Sequence, residues 1–340
     1  MEDKKERILD LMRKGIITND EAIELLEKAD MSAADVKADS KKEKPSMDND
    51  GFENYKQDTG ESIKNTFSQA ADKIVDVFKG LSKTVDENID FSNGWPKVRT
   101  QEKTVEFDLG ETFDSVNLDV KAGKISVKLG DNAHIKVDYK VYGAATDLEA
   151  YLAENTKLQV EDKVLMITAT GRVAAYVELY LPAKEYDEIK FVLLNGKVEL
   201  DDITAKNMIV SSKNGELSLT NTQAENLSLD LINGDIKFEG SFIDGKATLT
   251  NGSVRISQRD NRAKNLNVKN INGDIKLSVP ESLALTGRAK TVFGGYKTRL
   301  RLDQAFESGK NGATVVRSGS DNMTFDLEIK SGTIWLKDGE

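Results

Sequence analysis

The clearest pattern along the chain is a motif of alternating polar and apolar positions that begins with Asn-Gly. The motif Asn-Gly-x-apolar-x-apolar recurs after about 19 residues, a period typical of repeat folds, and its copies begin at Asn195, Asn214, Asn233, Asn251 and Asn272. Related segments without the Asn begin at Ala122 and Ser331. A second alternating segment precedes most copies, so each unit predicts two strands joined at an Asn-Gly corner.

Two architectures use such a pattern. Asn-Gly is the strongest short hairpin signal, so an up-and-down meander is one interpretation. A meander does not require the same register in every unit, whereas a solenoid does, because equivalent residues of stacked coils form rows. The sequence therefore predicts a mainly β fold, a parallel β-solenoid over residues 101–340, with more irregular strands at 104–181 and a covering segment from Leu283 onward.

The solenoid prediction assigns specific rows to its interior. The strands after the corners supply two apolar rows: Val198, Leu217, Ile236, Val254 and Ile275, then Leu200, Leu219, Phe238, Ile256 and Leu277. The strands before the corners supply equivalent pairs: Met208/Val210, Leu227/Leu229, Ala247/Leu249 and Leu266/Val268. Glycine recurs because every corner needs the same backbone conformation with positive φ.

The first 60 residues have a different character. Apolar residues at helical spacing, a capping box from Thr18 to Glu21 and a glycine at Gly15 predict a helical hairpin over residues 1–30. Such a short unit needs a partner surface to be stable. Residues 31–60 lack Leu and Ile and are rich in Asp, Asn, Ser and Lys, which predicts a disordered linker.

Residues 61–91 predict one amphipathic helix with an apolar stripe at steps of three and four. Three roles remain open: a coiled-coil or partner helix, a helix packed over the end of the β-domain, or a helix on a membrane surface. The segment carries more acidic than lysine side chains, which disfavours the membrane role.

Composition and charge exclude several functional classes. The 340 residues contain no cysteine and one histidine, His134, which excludes disulfides, thiolate metal sites and multi-histidine metal centres. The net charge of −10 disfavours nucleic acid as a partner. No secretory signal and no transmembrane segment are visible, so the sequence by itself indicates a cytoplasmic protein without a cofactor.

Two groups of charged residues are candidate sites on the repeats. Asp235 and Asp274 follow Asn-Gly corners two coils apart, a separation near that of inverting glycosidases, but turn positions favour Asp for local hydrogen bonds. We expect a turn role and no enzyme. The outward positions Lys237, Arg255 and Lys276 form a cationic strip on consecutive coils. The strip either protects the sheet against unwanted pairing or contacts an anionic polymer or lipid headgroup. His134 is expected on the solvent side of a strand.

The chain resembles two known groups at these same residues. The Asn-Gly units are similar to those of the bacterial "putative adhesin" family of β-strand-repeat proteins. Residues 6–12 and 15–26 resemble the SHOCT-like helical domain at the start of YvlB/LiaX-type proteins. The order of helical start, linker and repeats is the order in LiaX-like proteins, and the likeness covers nearly the whole chain.

The resemblance implies a role as a non-enzymatic regulator or sensor of the cell-envelope stress response. The helical half would engage a protein partner of the pathway, a cationic antimicrobial peptide or a second copy, and the protein would lie at the cell envelope or surface. The candidate interaction residues are Ile8, Leu11, Met12, Ile23, Leu26, Ile63, Phe67, Ile74, Phe78, Leu81 and Val85. The alternative is a structural or adhesive surface scaffold that self-assembles, and a polysaccharide-active enzyme is a distant third.

Overall fold

The computed structural model describes residues 89–90, 97–110, 112–143, 145–303, 308–309 and 312–339. The chain divides into two units, Met1–Arg99 and Thr100–Glu340. In the described part of the first unit, strand β1 (Ile89–Asp90) pairs antiparallel with β2 (Lys97–Val98). The predicted hairpin at 1–30, the predicted linker at 31–60 and residues 61–88 of the predicted helix lie outside the described residues.

The end of the predicted helix at 61–91 is wrong. Ile89 and Asp90 are extended and pair with Val98 and Lys97. The apolar periodicity continues through Ile89, but the sequence directly after it contains Asn93-Gly94, a hairpin signal, and a proline at Pro96. These local turn signals outweigh the helical periodicity at that point.

The second unit consists almost entirely of β-strands, which confirms the predicted mainly β class. Its described elements in chain order are β3 (Thr100–Asp108), β4 (Ser115–Leu129), β5 (His134–Tyr142), α1 (Leu148–Asn155), β6 (Thr156–Glu161), β7 (Val164–Leu181), β8 (Glu185–Asp201), β9 (Thr204–Asn251), β10 (Val254–Gln258), β11 (Asn265–Asn272), β12 (Ile275–Val279), β13 (Leu283–Arg299), β14 (Ser308–Gly309), β15 (Gly312–Arg317) and β16 (Asp321–Asp338).

The central strands stack in parallel as the coils of a solenoid. β8 pairs with β9 so that Asn195 lies beside Asn214 and Val198 beside Leu217. Most long strands run through the corner between two sheet faces, and β9 alone covers more than two coils. We call the segments before the corners the first face and those after the corners the second face. The prediction of parallel strands in a solenoid is therefore confirmed.

The interior is filled by the apolar rows of the two faces. Both rows predicted behind the corners are buried, with exposed fractions between 0% and 2%. Parallel pairing places Val254 between Ile236 and Ile275, and Ile256 between Phe238 and Leu277. Burial of each such side chain contributes roughly 1.5–3 kcal/mol, so repetition of the rows is the main source of stability.

The coils do not stack in the order of the sequence. β4 lies between β7 and β8, and β16 lies between the β11–β12 coil and β13. The predicted covering segment from Leu283 onward is therefore wrong: β13 and β16 are two further coils in register. Likewise β4 and β7, within the predicted irregular region 104–181, are coils of the stack, although their mutual register shifts between Val120 and Ala122. The alternation of polar and apolar residues predicts that a segment forms a coil, but it does not determine which other coil lies beside it.

The pair Ala247/Leu249 is offset by two residues from the pair Leu266/Val268, because Ala247 lies four and Leu266 six positions before its Asn-Gly corner. Val268 lies beside Ala247 and Leu266 beside Gly245, so Ala247 is not the partner of Leu266. A Cβ atom at Gly245 would lie 2.8 Å from the ring of Phe242, which occupies the space that a larger side chain would take. Asn270 consequently points inward beside Leu249, where it donates a hydrogen bond to the Gly252 carbonyl over 2.9 Å.

Antiparallel strands extend both ends of the stack. At the end formed by β7, the N-end, β5 and then β3 extend the second face, while β6 extends the first face. At the end formed by β13, the C-end, β15 and the short β14 extend the first face. Helix α1 precedes β6, and its N-cap Asp147 accepts a hydrogen bond from the Ala150 amide over 3.1 Å.

Candidate functional site

The Asn-Gly corners form a ladder along one edge of the stack. From the second corner onward, each asparagine donates a side-chain hydrogen bond to the asparagine of the preceding coil, over 2.7 Å, 2.8 Å, 2.8 Å and 2.9 Å from Asn214, Asn233, Asn251 and Asn272 in turn. The amides are thus engaged with one another. The ladder holds the corners in register and does not by itself provide a ligand site.

The two candidate aspartates serve the same corners. Asp235 Oδ1 accepts a hydrogen bond from the Ser253 amide over 2.8 Å, and Asp274 Oδ1 accepts one from the Thr333 amide over 3.0 Å. Each carboxylate therefore binds the backbone of the next coil, which is the local hydrogen bonding expected of Asp at a turn. Within the described ranges, no group of three or more His, Asp or Glu side chains could hold a metal ion.

The predicted cationic strip lies on the second face. Parallel pairing places Arg255 beside both Lys237 and Lys276, so the three cations occupy consecutive coils. The column then continues beyond the predicted residues, because Lys276 lies beside Trp335 of β16 and Trp335 lies beside Lys297 of β13. The out-of-order insertion of β16 thus brings the indole between two lysines.

Trp335 organises the two lysines that flank it. The ammonium group of Lys297 lies 4.1 Å from the indole ring centroid, and that of Lys276 lies 5.7 Å away. Cation–π attraction at this range holds an ammonium over an aromatic face without neutralising its charge. The indole Nε1 is buried and has no hydrogen-bond partner. The lysines are therefore positioned by the ring while their charges stay available to a ligand.

A second column on the same face adds two further cations. Lys337 lies beside Arg299 and both are exposed. We call Arg255, Lys276, Lys297, Arg299 and Lys337, with Trp335 among them, the cationic face. None of these five cations lies within ion-pair distance of a carboxylate in the part of the chain that the structure describes.

Several cations elsewhere on the coils are paired. On the first face, Arg288 pairs with Asp326 over 2.8 Å and Lys290 with Glu328 over 3.0 Å. Nearer the N-end of the second face, Glu199 pairs with Lys124 over 2.6 Å and with Lys197 over 2.9 Å. The hydrogen bond from Lys124 is the largest cause that lowers the pKa of Glu199. Among the described residues, neighbouring cations without such a pair lie together at the C-end of the second face.

Lys237 marks the boundary of the cationic face. It lies 3.7 Å from Glu239, a carboxylate that also binds Arg259 over 2.5 Å. The hydrogen bond from Arg259 lowers the pKa of Glu239, so this carboxylate remains ionised next to Lys237. Of the three predicted strip residues, Arg255 and Lys276 therefore belong to the uncompensated set, whereas Lys237 is partly neutralised.

Trp335 and Lys297 were missed by sequence reasoning for different reasons. Trp335 follows Ser331-Gly332, an Asn-less relative of the corner motif, so alignment of that segment with the repeats would have placed the indole in the outward column. Lys297 follows Gly294-Gly295, where neither Asn nor the usual apolar spacing indicates a corner. The remaining predicted interaction residues lie outside the described residues: Ile8, Leu11, Met12, Ile23, Leu26, Ile63, Phe67, Ile74, Phe78, Leu81 and Val85.

Part of the chain matches a known protein family. Residues 113–245 match the family described as Toastrack DUF4097. The chain is 28% identical over 219 residues to the uncharacterized protein YvlB of Bacillus subtilis (strain 168). That match covers 61% of this chain and 56% of YvlB, so the chain spans little more than half the length of this relative.

Several solved structures also resemble the chain. A protein described as a putative cell adhesion protein, from Clostridium sporogenes ATCC 15579, is 15% identical with a TM-score of 0.33, covering 71% of this chain and all of that one. A "putative adhesin" from Bacteroides fragilis NCTC 9343 is 13% identical with a TM-score of 0.36, covering 70% of this chain and 97% of that one. A "putative lipid binding protein" from Parabacteroides distasonis ATCC 8503 is 12% identical with a TM-score of 0.26, covering 69% and 96%.

Within the described ranges, no helix combines the length and the apolar character that crossing a bilayer requires.

Proposed function

We propose that the protein is a non-enzymatic scaffold that binds an anionic polymer of the cell envelope through its cationic face. The observation that carries this proposal is the group of neighbouring cations that have no carboxylate partner among the described residues and are held on a rigid sheet. Charged residues on protein surfaces contribute to recognition when they form such uncompensated patches. This function develops the adhesive-scaffold alternative of the sequence analysis.

The spacing of the cations favours an extended ligand. Adjacent coils are about 4.8 Å apart, so the column from Arg255 through Lys276 to Lys297 extends over about 14 Å. A polymer with regularly spaced phosphates or carboxylates can contact several of these cations at once. Each single contact is weak because the groups are exposed, so affinity would come from their number.

The net charge of the chain bears on how such a ligand could bind. With a net charge of −10, the protein as a whole repels polyanions. Binding therefore depends on a local surface, and reversal of its charges should abolish binding without changing the remainder of the molecule.

The test measures binding of the full chain to inorganic polyphosphate. In a Trp95→Phe background, Trp335 is the single tryptophan and reports directly on the cationic face, since the chain has two tryptophans. We expect Lys276→Glu to weaken binding roughly three- to tenfold and Arg255→Glu with Lys276→Glu to abolish it. A second experiment measures binding to vesicles rich in anionic lipid. If the ligand were a headgroup surface, the protein would bind these vesicles and not the polyphosphate.

The matched control is Lys213→Glu, which reverses an exposed charge at the corner before Asn214, away from the cationic face. This variant should bind polyphosphate as the unmodified protein does. Equal loss of binding in Lys213→Glu and Lys276→Glu would contradict the proposal, because it would show that overall charge and not the cationic face controls binding.

The regulatory role implied by the family resemblance is assigned to the predicted helical segments, which would engage the partner, and to the β-solenoid as scaffold and regulatory surface. It stays a prediction, as do the partner protein, the antimicrobial peptide and self-association through the helices. Deletion of residues 1–88 tests these predictions separately, since the cationic face lies entirely within Thr100–Glu340.

A further inference from the structure

Both ends of the second face present a strand whose outer edge is unpaired in the described part of the chain. At the N-end this strand is β3, which pairs only with β5. At the C-end it is the second half of β13: β15 covers Leu285 to Ala289, whereas Thr291 to Arg299 pair only with β16. Val292 and Phe293, exposed by 56% and 67%, lie at the start of this open edge. Unpaired edges of this kind are templates for another strand.

The two open edges run in the same direction. β3 is antiparallel to β5, and β5 is antiparallel to β7, so β3 has the direction of the coils. The second half of β13 is parallel to β16 and has that direction as well. A second copy translated along the stack axis would therefore place its β3 parallel to β13, continuing the same parallel sheet.

The two ends also differ in how many strands extend each face, and these differences are complementary. At the N-end, two strands extend the second face and one extends the first face beyond β7. At the C-end, no described strand extends the second face beyond β13. One full strand, β15, extends the first face, and the two-residue β14 follows it. Two copies joined end to end would thus have two intervening strands on each face between β13 and the next β7, a gap of about 14 Å on both faces.

The coil register aligns opposite charges across this junction. Glu106 occupies the same column as Lys297, since the column runs through Lys136, Glu178 and the cationic strip. In the neighbouring column, Asp108 occupies the position of Arg299. The side chain of Asp108 is 82% exposed and that of Glu106 54% exposed. The acidic end of each column would therefore meet the basic end of the next copy.

We propose that the protein assembles head to tail, with β3 of one copy pairing in parallel with residues 293–299 of the next. Glu106 then faces Lys297 and Asp108 faces Arg299 across the junction. The contact joins two different surfaces and repeats by translation, so it generates a filament of stacked solenoids. This inference deepens the scaffold function and rests on it, but it does not depend on the anionic ligand.

The test exchanges the charges of one pair in the full chain. Arg299→Glu alone creates an acidic pair at each junction, and Asp108→Arg alone creates a basic pair. We expect either variant to raise the concentration needed for assembly by about tenfold in sedimentation velocity at low salt. An equimolar mixture of the two variants should restore assembly, because every junction then has one opposite-charge pair in an alternating filament.

The mixture makes the result independent of folding defects, since a misfolded variant could not be rescued by another. Lys276→Glu is the matched control: it lies in mid-stack and should assemble normally while binding polyphosphate more weakly. A monomeric unmodified protein, or assembly that neither charge reversal weakens, would overturn the head-to-tail inference. Neither result would affect the polymer-binding proposal, which fails if Lys276→Glu binds polyphosphate as tightly as Lys213→Glu does.

Discussion

Single residues at the corners determine how closely the coils approach. Gly215 has a φ of +135°, and a Cβ atom added there would lie 1.6 Å from the Gly196 carbonyl oxygen. No side chain can be accommodated at that distance without moving the neighbouring coil. The repeated glycine thus reflects contact between backbones as well as the turn conformation.

This geometry gives a direct prediction for Gly215→Ala. We expect the substitution to lower the free energy of unfolding by about 3 kcal/mol or more, because strain in φ adds to a steric clash with backbone. Gly295→Ala is the matched control, since a Cβ atom there would meet nothing within 4 Å. Urea denaturation of both variants measures the difference. Equal stability of the two would contradict the close contact of the corners.

The pKa of the single histidine, His134, depends on two neighbouring carboxylates. The hydrogen bond that the Asp108 carboxylate accepts from His134, over 2.8 Å, is the largest cause that raises the pKa of His134 above its ordinary value of 6.5, and Glu106 at 3.2 Å acts in the same direction. Because the folded pKa is the higher one, protonated His134 stabilises the fold below pH 6.5. That contribution is lost as the pH rises through the folded value.

An NMR titration of the full chain measures this pKa without ambiguity, since no other histidine is present. We expect a value above 6.5 and a decrease in Asp108→Asn. A value at or below 6.5, or no response to Asp108→Asn, would show that the carboxylates do not face the ring as the structure has them.

At the scale of elements, the inserted coil β16 needs an anchor at its end. Arg317 of β15 is 4% exposed and pairs with Asp338 at the end of β16. It also donates hydrogen bonds to the Leu283 carbonyl over 2.9 Å and to the Pro280 carbonyl over 2.6 Å. One guanidinium thus joins the turn before β13 to the last strand.

Removal of this anchor should be costly. Arg317→Met leaves the Asp338 carboxylate largely buried without its partner, and we expect a loss of about 3–5 kcal/mol in the free energy of unfolding. Hydrogen exchange should show faster exchange in β16 than in β9. Replacement of both residues, Arg317→Met with Asp338→Leu, should recover part of the loss. A single variant as stable as the unmodified protein would contradict the anchoring role.

The sequence predicts the strands well where alternating polar and apolar residues flank an Asn-Gly corner. The interior rows around Val198 and Leu200 and the outward strip through Arg255 could be predicted because identical local patterns recur. The neighbours of β4 and β16 could not be, since any coil with the same rows can stack on any other. The equivalence of Gly245 with Leu266 was missed for a related reason: Phe242, outside the repeated positions, fills the interior there.

The same limit explains the incomplete candidate site. Arg255 and Lys276 are equivalent within the regular repeats and could be found from spacing alone. Trp335 and Lys297 join them only because β16 enters the stack before β13. Long-range order of the coils, and not local sequence, therefore completes the cationic face.

At the scale of the whole second unit, charge varies along the stack axis. The columns of the second face begin with Glu106 and Asp108 at the N-end and finish with Lys297 and Arg299 at the C-end. This polarity supports both proposals, because the basic end offers a surface to polyanions and the two ends attract each other. At high salt both effects should weaken together, since exposed charges are screened within about 10 Å at 0.1 M ionic strength.

The cationic face and its column of charges depend on the order in which the coils stack. The chain has no cysteine, so introduced pairs can be tested for disulfide formation without interference. Lys269 lies beside Glu328, and Glu328 lies beside Lys290. Residues in adjacent coils are about 5 Å apart and suit a disulfide, whereas residues two coils apart, at about 10 Å, do not.

The decisive measurement is oxidative crosslinking of three double-cysteine variants of the full chain, read by mass spectrometry. Lys269→Cys with Glu328→Cys and Lys290→Cys with Glu328→Cys should crosslink, and Lys269→Cys with Lys290→Cys should not. Efficient crosslinking of the last pair, with none to position 328, would show that the coils stack in sequence order. That result would contradict the account.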